Sequence, residues 1–270
     1  MVLKLDLVKA FEKVNWSFHR MVLLQIGIPG TFVNWIVGCV DSSNFVVLIN
    51  GTPYNFFPVS RGIRQGCPIS PLLFILIIES LSLLITNAQG RGVISGIKVS
   101  PSLNLPHLLF VDDVILFGMG TVEEWKNYKE ILDTFCSATG MEISVAKSSF
   151  LFNDIDETVR QRISNFLPFK MDPLTLGFKY LGYYLKPLGY GIKDWRWFIQ
   201  KFQKNLSNWT YKLLSLGGRL VLVKYVLMGL AVYWLSLARM PNTILTYIGR
   251  YIFNFLWGST AGNHKYHLVD

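Results

Sequence analysis

Cysteine is scarce in this 270-residue chain: Cys39, Cys67 and Cys136 are widely spaced and odd in number. That excludes a disulfide framework and a paired-cysteine zinc site, and it fits reduced thiols in an intracellular protein of the nucleus or cytoplasm. The N-terminus, Met1-Val2-Leu3-Lys4-Leu5-Asp6, lacks the charged region, apolar core and cleavage site of a secretory signal. No internal repeat or low-complexity tract is present. Acidic residues are few in the second half. Residues 151–270 carry 15 Lys and Arg against 6 Asp and Glu, whereas residues 1–150 carry 11 of each. The whole net charge of +9 therefore lies in the second half. A basic half joined to a neutral, acid-bearing half suits a polyanion-binding module beside a metal site.

What the chain has in quantity is apolar residues, 51% of the total. That is enough to bury a core in one large or two small domains. Leu72 to Ile85 is apolar but short and interrupted by Glu79, which fits a buried helix better than a membrane span. Leu220 to Ala238 is longer, with Lys224 inside it and Arg219 and Arg239 at its ends. The reading favoured is a buried helix pair without stable membrane association; a membrane helix stands as the alternative.

Leu3, Leu5 and Leu7 alternate with Lys4 and Asp6, the period of a strand with one buried face, and Asp6 lies opposite the leucines. Asn15 can cap a helix from Trp16 to Ile26, ended by Gly27 and Pro29, and Thr31 can cap the next. Phe45–Ile49, Asn50-Gly51 and Tyr54–Val59 read as a hairpin, with Pro53 confining its second strand to an edge. A donor-rich loop, Ser60 to Pro68, feeds a long helix with Ser70 as cap and Pro71 in its first turn. Thr121-Val122-Glu123-Glu124 is a capping box for a helix that Gly140 stops, and Glu142 to Phe152 alternates again, with Ile143 and Val145 facing one way. This order predicts an α+β arrangement with an antiparallel sheet. From Trp195 to Leu214, basic residues interleave with aromatics at helical spacing, and Gly217-Gly218 breaks the pattern. Aromatics so spaced usually form core, so only the cations are assigned to a polyanion. The boundary between the two parts is expected near Asp154 to Thr158.

Phe110-Val111-Asp112-Asp113 sets two adjacent carboxylates between apolar runs, as at the turn of a hairpin. Two such charges side by side repel, so they must be solvated, protonated or shared with a cation. A solvated turn and a platform for a hard divalent cation are both open on this stretch alone.

Four stretches together resemble the reverse transcriptase of non-LTR (LINE-type) retrotransposons, in a form common in plant genomes. They are Leu5 to Trp16, Arg61 to Phe74, Phe110 to Asp113 and Gly140 to Ser148, in the family's order and approximate spacing. The likeness continues through Tyr180-Leu181-Gly182, Leu216 to Leu220 and Asn254 to Gly258. It implies a polymerase palm over residues 1–153, an antiparallel sheet with helices on one face, then a basic connection and mostly helical thumb over 154–270. The implied activity is RNA-directed DNA synthesis with two Mg²⁺ ions, an RNA template, a DNA primer and deoxynucleoside triphosphates.

Residue by residue, the resemblance implies Asp6, Asp112 and Asp113 as metal ligands, with Asp113 the weaker, since adjacent strand residues point to opposite faces. Lys147 matches a lysine that protonates or neutralises departing pyrophosphate. Phe11 matches the aromatic ring that excludes a ribose 2′-hydroxyl, and Gln65 and Gly66 match the turn that contacts the nucleotide, where the glycine allows close backbone approach. Arg61 and Arg64 are candidates for phosphate or template contact. Tyr180, Leu181 and Gly182 resemble the primer grip, and Arg196, Lys201, Lys204 and Lys212 would neutralise backbone phosphates. Val111 stands where the family usually has Ala, Cys67 where it has Asp, Ala231 where it has Pro, and Glu12 where it has Asp. The chain opens at the first metal-binding strand, without the family's fingers and endonuclease regions, so weak or no activity in isolation is expected.

Overall fold

A computed structural model of the chain describes residues 1–42, 44–153, 155–187, 189–208, 214–236 and 238–257. The chain divides into two units, Met1–Leu174 and Thr175–Asp270.

The first unit is built on β1 (Val2–Asp6), the middle strand of a five-stranded sheet. It is followed by α1 (Ala10–Lys13), α2 (Trp16–Gln25) and α3 (Gly30–Asp41). Asn15 caps α2 by accepting the Ser17 amide at 2.8 Å, as its position in sequence suggested. Thr31 does not cap α3; it lies inside it, behind Pro29 at the cap position. Two short antiparallel pairs come next: β2 (Asn44–Phe45) with β5 (Phe57–Pro58), and β3 (Leu48–Ile49) with β4 (Thr52–Pro53). Asn50 and Gly51 turn the inner pair with φ of 52° and 82°, the primed turn that Asn-Gly favours.

Helix α4 (Ser70–Gly90) carries Ser70 as its first residue rather than as a cap. The β6 (Ile97–Ser100) and β7 (Leu103–Leu105) pair leads to the hairpin of β8 (His107–Phe110) and β9 (Asp113–Phe117). Then come α5 (Val122–Thr139), β10 (Ser149–Phe152), α6 (Glu157–Ser164) and β11 (Lys170–Pro173). Thr121 accepts the Glu124 amide at 3.3 Å, and Gly140 ends α5 at φ 74°. Val145, expected to share a strand face with Ile143, is exposed in the turn before β10; Ile143 alone forms a bridge, to Leu7.

The strand order is β11-β10-β1-β9-β8, antiparallel except that β10 and β11 run parallel. The expectation of a wholly antiparallel sheet is therefore corrected at one edge. Its cause is α6, a helical crossover that returns the chain to the sheet in the same direction. The same crossover keeps residues 154–174 with the first unit, so the division falls at Leu174 rather than near Asp154. Leu3, Leu5, Val114, Leu116 and Phe150 share one sheet face and are packed into one core with Phe74, Ile77 and Leu81 of α4 and Trp125, Tyr128 and Phe135 of α5. Each such burial contributes roughly 1.5–3 kcal/mol. Buried Glu124 ties down three loop amides, accepting Ser95 at 2.8 Å, Gly96 at 3.2 Å and Met119 at 2.7 Å.

The second unit begins with the hairpin of β12 (Phe178–Tyr180) and β13 (Tyr183–Leu185). Leu181 and Gly182 turn it with φ of 47° and 82°. Helices α7 (Arg196–Asn208), α8 (Leu216–Leu222), α9 (Met228–Leu235) and α10 (Asn242–Trp257) follow, with a π-helical turn, Val223–Leu227, joining α8 to α9. Their core holds Trp195, Phe198, Phe202, Leu227, Ile244 and Phe255. Gly217 and Gly218 do not break the chain's helical course there but lie in the first turn of α8, where Ser215 accepts the Gly218 amide at 3.2 Å.

Two helical stretches, Ser70–Gly90 and Leu216–Leu235, are long and apolar enough to cross a membrane by length and composition. The first seats Leu73, Phe74, Ile77, Ile78, Leu81 and Ile85 in the core. The second does not match the expected buried pair. Only Val223, Leu227 and Trp234 of its described residues are buried, because its apolar residues surround the helix and its neighbours cover one side.

Candidate functional site

The acid-bearing end of the sheet is fixed by its ladder. Across β1 and β9, Leu3 faces Leu116, Leu5 faces Val114 and Asp6 faces Asp113. Residues directly opposite in an antiparallel pair share a face, with Cβ atoms roughly 4.5–5.5 Å apart. Asp6 and Asp113 therefore meet on the face opposite the main core. Asp112, expected from sequence to be the better partner of Asp6, occupies the hairpin turn between Phe110 and Asp113. Its neighbour Val111 has φ 54°. A β-branched residue in the left-handed region costs on the order of 1–3 kcal/mol, and the paired strands on either side hold it there.

Electrostatics mark the same spot. The Asp113 carboxyl is raised above its ordinary range, first by burial and then by the negative charges of Asp112 and Asp6, with Lys4 opposing. Lys147 Nζ stands 3.6 Å from Asp6 Oδ1. The segment that carries Lys147 is bound to β1 and the residues after it. The Val8 amide donates to the Glu142 carbonyl at 2.8 Å, and the Ser144 amide to the Asp6 carbonyl at 2.8 Å. The Asp6 amide donates to Ser148 Oγ at 3.1 Å, and Lys13 pairs with Glu142 at 2.5 Å.

The donor set consists of carboxylate oxygens, the ligands of a hard cation. Among the described residues, no three His, Cys, Asp or Glu side chains converge into a ready-made metal cage. Mg²⁺ is commonly held by one or two carboxylates with substrate phosphates completing its shell, and Asp6 with Asp113, beside Asp112, fits that mode.

The donor-rich loop is clamped onto α1. The Gly62 amide donates to the Val14 carbonyl at 2.7 Å, and the Ile63 amide to the Phe11 carbonyl at 2.8 Å. Trp16 Nε1 donates to the Gly62 carbonyl at 2.6 Å. Gly62 has φ +93°, and a Cβ there would lie 2.5 Å from the Glu12 carbonyl oxygen. Only glycine allows this approach. Gly66, for which close approach was expected, instead has open space around its missing Cβ and requires glycine for φ +83°. Gln65 Nε2 donates to Glu12 Oε1 at 2.8 Å. Phe11, half-buried, stacks on the fully buried Phe74 with centroids 4.5 Å apart and planes 11° from parallel. Arg61 and Arg64 line a cleft of about 340 Å³ with Glu12, Phe45 and Phe57.

The structure thus gathers Asp6, Asp113 and Lys147 at one strand end, next to Asp112, and joins Phe11 to the Gln65 loop through Glu12 and Gly62. Sequence reasoning missed Gly62, Trp16, Phe74 and Ser148. All four lie inside the stretches that carried the resemblance, yet their contacts run between distant segments.

The remaining sequence-predicted residues belong to the second unit. Tyr180, Leu181 and Gly182 form its hairpin end, where Tyr233 Oη donates to the Leu181 carbonyl. Arg196, Lys201 and Lys204 lie exposed on α7, and Lys212 falls outside the described residues.

A family model described as reverse transcriptase (RNA-dependent DNA polymerase) matches residues 1–185. The chain is similar to an uncharacterised 149 kDa protein of transposon TX1 from Xenopus laevis, 26% identical over 94% of this chain and 19% of that protein. It is also similar to a Pol polyprotein of the type-1 retrotransposable element R2 from Popillia japonica, 30% identical over 43% of this chain and 16% of the relative. The chain therefore spans about a fifth or less of the length of these relatives. Among solved structures, a Candida albicans telomerase in complex with a fragment of telomeric RNA aligns over 94% of this chain and 44% of its own. The TM-score is 0.50 at 9% identity, a likeness of fold.

Proposed function

Because the chain belongs to the reverse transcriptase (RNA-dependent DNA polymerase) family, we propose that it carries the polymerase of a LINE-type retroelement and extends a DNA primer along an RNA template. The observation that carries this reading is the cross-strand pair Asp6 and Asp113, with Asp112 in the adjoining turn and Lys147 3.6 Å from Asp6. In this reading Asp6, Asp112 and Asp113 hold two Mg²⁺ ions. Such ions would supply Lewis-acid stabilisation of the charge that develops in phosphoryl transfer.

The chain's own residues do the rest. Lys147, positioned by the bonds that tie residues 142–148 to β1, supplies a proton or a positive charge to the departing pyrophosphate. Phe11, its plane set by Phe74, lies under the sugar and excludes a 2′-hydroxyl. Gln65 exchanges its bond to Glu12 for one to the incoming nucleotide, and Gly66 allows the turn. Arg61 and Arg64 take phosphate or template. Tyr180, Leu181 and Gly182 touch the primer, while Arg196, Lys201, Lys204 and Lys212 neutralise backbone phosphates without reading sequence. The family's description as an RNA-dependent DNA polymerase supports RNA as the template. The motifs fit a plant-type element, and the sparse cysteines fit a protein of the nucleus or cytoplasm.

Primer extension on an RNA template with deoxynucleoside triphosphates and Mg²⁺ tests this. The expected result is weak but template-directed, Mg²⁺-dependent extension that Asp6→Asn abolishes. Binding of primer–template with no extension by the unaltered protein overturns the catalytic reading. The basic second unit would then make the chain a non-catalytic nucleic-acid binder.

A further inference from the structure

The second unit contains a cleft of about 950 Å³ between its β12–β13 hairpin, the start of α7, and α9. Four cations line it, Lys179, Lys193, Arg196 and Lys201, against one carboxylate, Asp194. That carboxylate is already matched: Lys186 Nζ lies 2.7 Å from it and holds it below its usual range, and the Gly191 amide donates to it at 2.8 Å. Lys193, Arg196 and Lys201 make no ion pair among the described residues.

The walls are aromatic. Trp197, Tyr184 and Tyr233 remain 37%, 41% and 44% exposed; Trp197 lies on the stretch whose helically spaced aromatics were expected to form core. Trp195, Phe198 and Phe202 do form it. The exposed rings are held in place. Trp197 meets Trp234 edge-on at 4.5 Å, and Tyr233 stacks on Tyr183 at 4.3 Å. Tyr184 Oη donates to the Leu176 carbonyl, and Tyr233 Oη to the Leu181 carbonyl. Rigid aromatic faces lose little entropy when a planar group stacks on them.

We propose that this cleft binds single-stranded nucleic acid, with an unpaired base against the aromatic wall and its flanking phosphates on Lys193, Arg196 and Lys201. Cations alone suit any polyanion, and aromatics alone suit any flat apolar group. The two interleaved in a space the size of one or two nucleotides suit a base with its phosphates. A base in a duplex is already stacked and offers no free face, so a duplex engages only the cations.

The test measures fluorescence anisotropy of a labelled 12-nucleotide RNA on the purified full chain and needs no extension activity. Its failure therefore leaves the polymerase reading standing, and the reverse. The expected result is that an abasic version of the RNA binds about 5- to 150-fold more weakly, the range for losing one stacked base. Trp197→Ala should weaken the intact RNA by a similar factor and leave the abasic RNA unchanged, while Trp197→Phe restores binding. Lys201→Gln should flatten the salt dependence by about 0.7 of a log unit per log unit of salt. Equal binding of intact and abasic RNA by the unaltered protein overturns the proposal, whatever the variants do. So does equal competition by a duplex of the same length, or displacement of the RNA by an equimolar free nucleoside triphosphate.

Discussion

Gly62→Ala isolates the contact that seats the nucleotide-facing loop. A Cβ at position 62 would lie 2.5 Å from the Glu12 carbonyl oxygen and 2.9 Å from its carbonyl carbon and Cα. These are backbone atoms, so no rotamer change relieves the clash. The φ of +93° adds about 1–2 kcal/mol for any L side chain. The cheaper response is for the loop to lift from α1, giving up the Gly62–Val14, Ile63–Phe11 and Trp16–Gly62 hydrogen bonds. At about 0.5–1.5 kcal/mol net for each of the three, the loss comes to roughly 1.5–4.5 kcal/mol. Gly66→Ala is the matched control, since its φ is +83° but nothing lies within 4 Å of the added carbon. It should cost only about 1–2 kcal/mol. Hydrogen exchange followed by mass spectrometry reads both locally. Peptides covering residues 10–16 and 60–66 should exchange about 10- to 1,500-fold faster in Gly62→Ala, at 1.4 kcal/mol per factor of ten, and less in Gly66→Ala. Equal exchange in the two variants would refute the claim that close backbone approach, rather than φ alone, requires glycine at position 62.

Other consequences follow from buried and crowded charges. The Asp113 carboxyl is raised in the fold, so its ionised form is disfavoured there. Its favourable contribution is complete only below the unfolded value of about 3.9 and is lost as pH rises through the folded pKa. Asp113→Asn should therefore melt higher than the unaltered, metal-free protein at pH 7, by a margin that shrinks on acidification. Excess Mg²⁺ should narrow that margin by stabilising only the unaltered protein. Glu124→Ala strands the buried Gly96 amide and the part-buried amides of Ser95 and Met119, and should lower stability by about 2–6 kcal/mol in urea unfolding, at 1–3 kcal/mol for the buried amide left unpaired and 0.5–1.5 kcal/mol for each of the other two bonds. Among the thiols, Cys67 is lowered, chiefly by the Ile69 amide, and Cys136 is pushed up by burial to about 11. Disulfide-reagent labelling at pH 8 should find Cys67 fast and Cys136 slow.

The parts of the fold legible in sequence were those set by local chemistry. Leucine alternation gave β1, Asn15 and Thr121 marked helix starts, Gly140 marked an end, and Asn50-Gly51 gave a turn. The parallel β10–β11 edge was not legible, because strand direction depends on where α6 packs. At the acid pair, alternation along one strand placed Asp112 and Asp113 on opposite faces but could not say which faced Asp6. That depended on the cross-strand register. Trp197 illustrates the limit from the other side: it falls off the i, i+3, i+7 stripe of buried Trp195, Phe198 and Phe202, and only the position of α9 makes its face the wall of a cleft. Gly62 was visible as one glycine in a rich loop, but its necessity comes from Glu12, fifty residues earlier in the chain.

The central claim is that the carboxylates at the end of β1 and the β8–β9 turn are a divalent-metal platform. Mn²⁺ binding to the purified full chain, followed by loss of the free-ion paramagnetic resonance signal, tests it most directly. The account predicts saturable binding that Asp6→Asn and Asp113→Asn each weaken at least tenfold, with Glu123→Gln on the exposed start of α5 as an unaffected control. Binding of equal stoichiometry and affinity in all four proteins would contradict it.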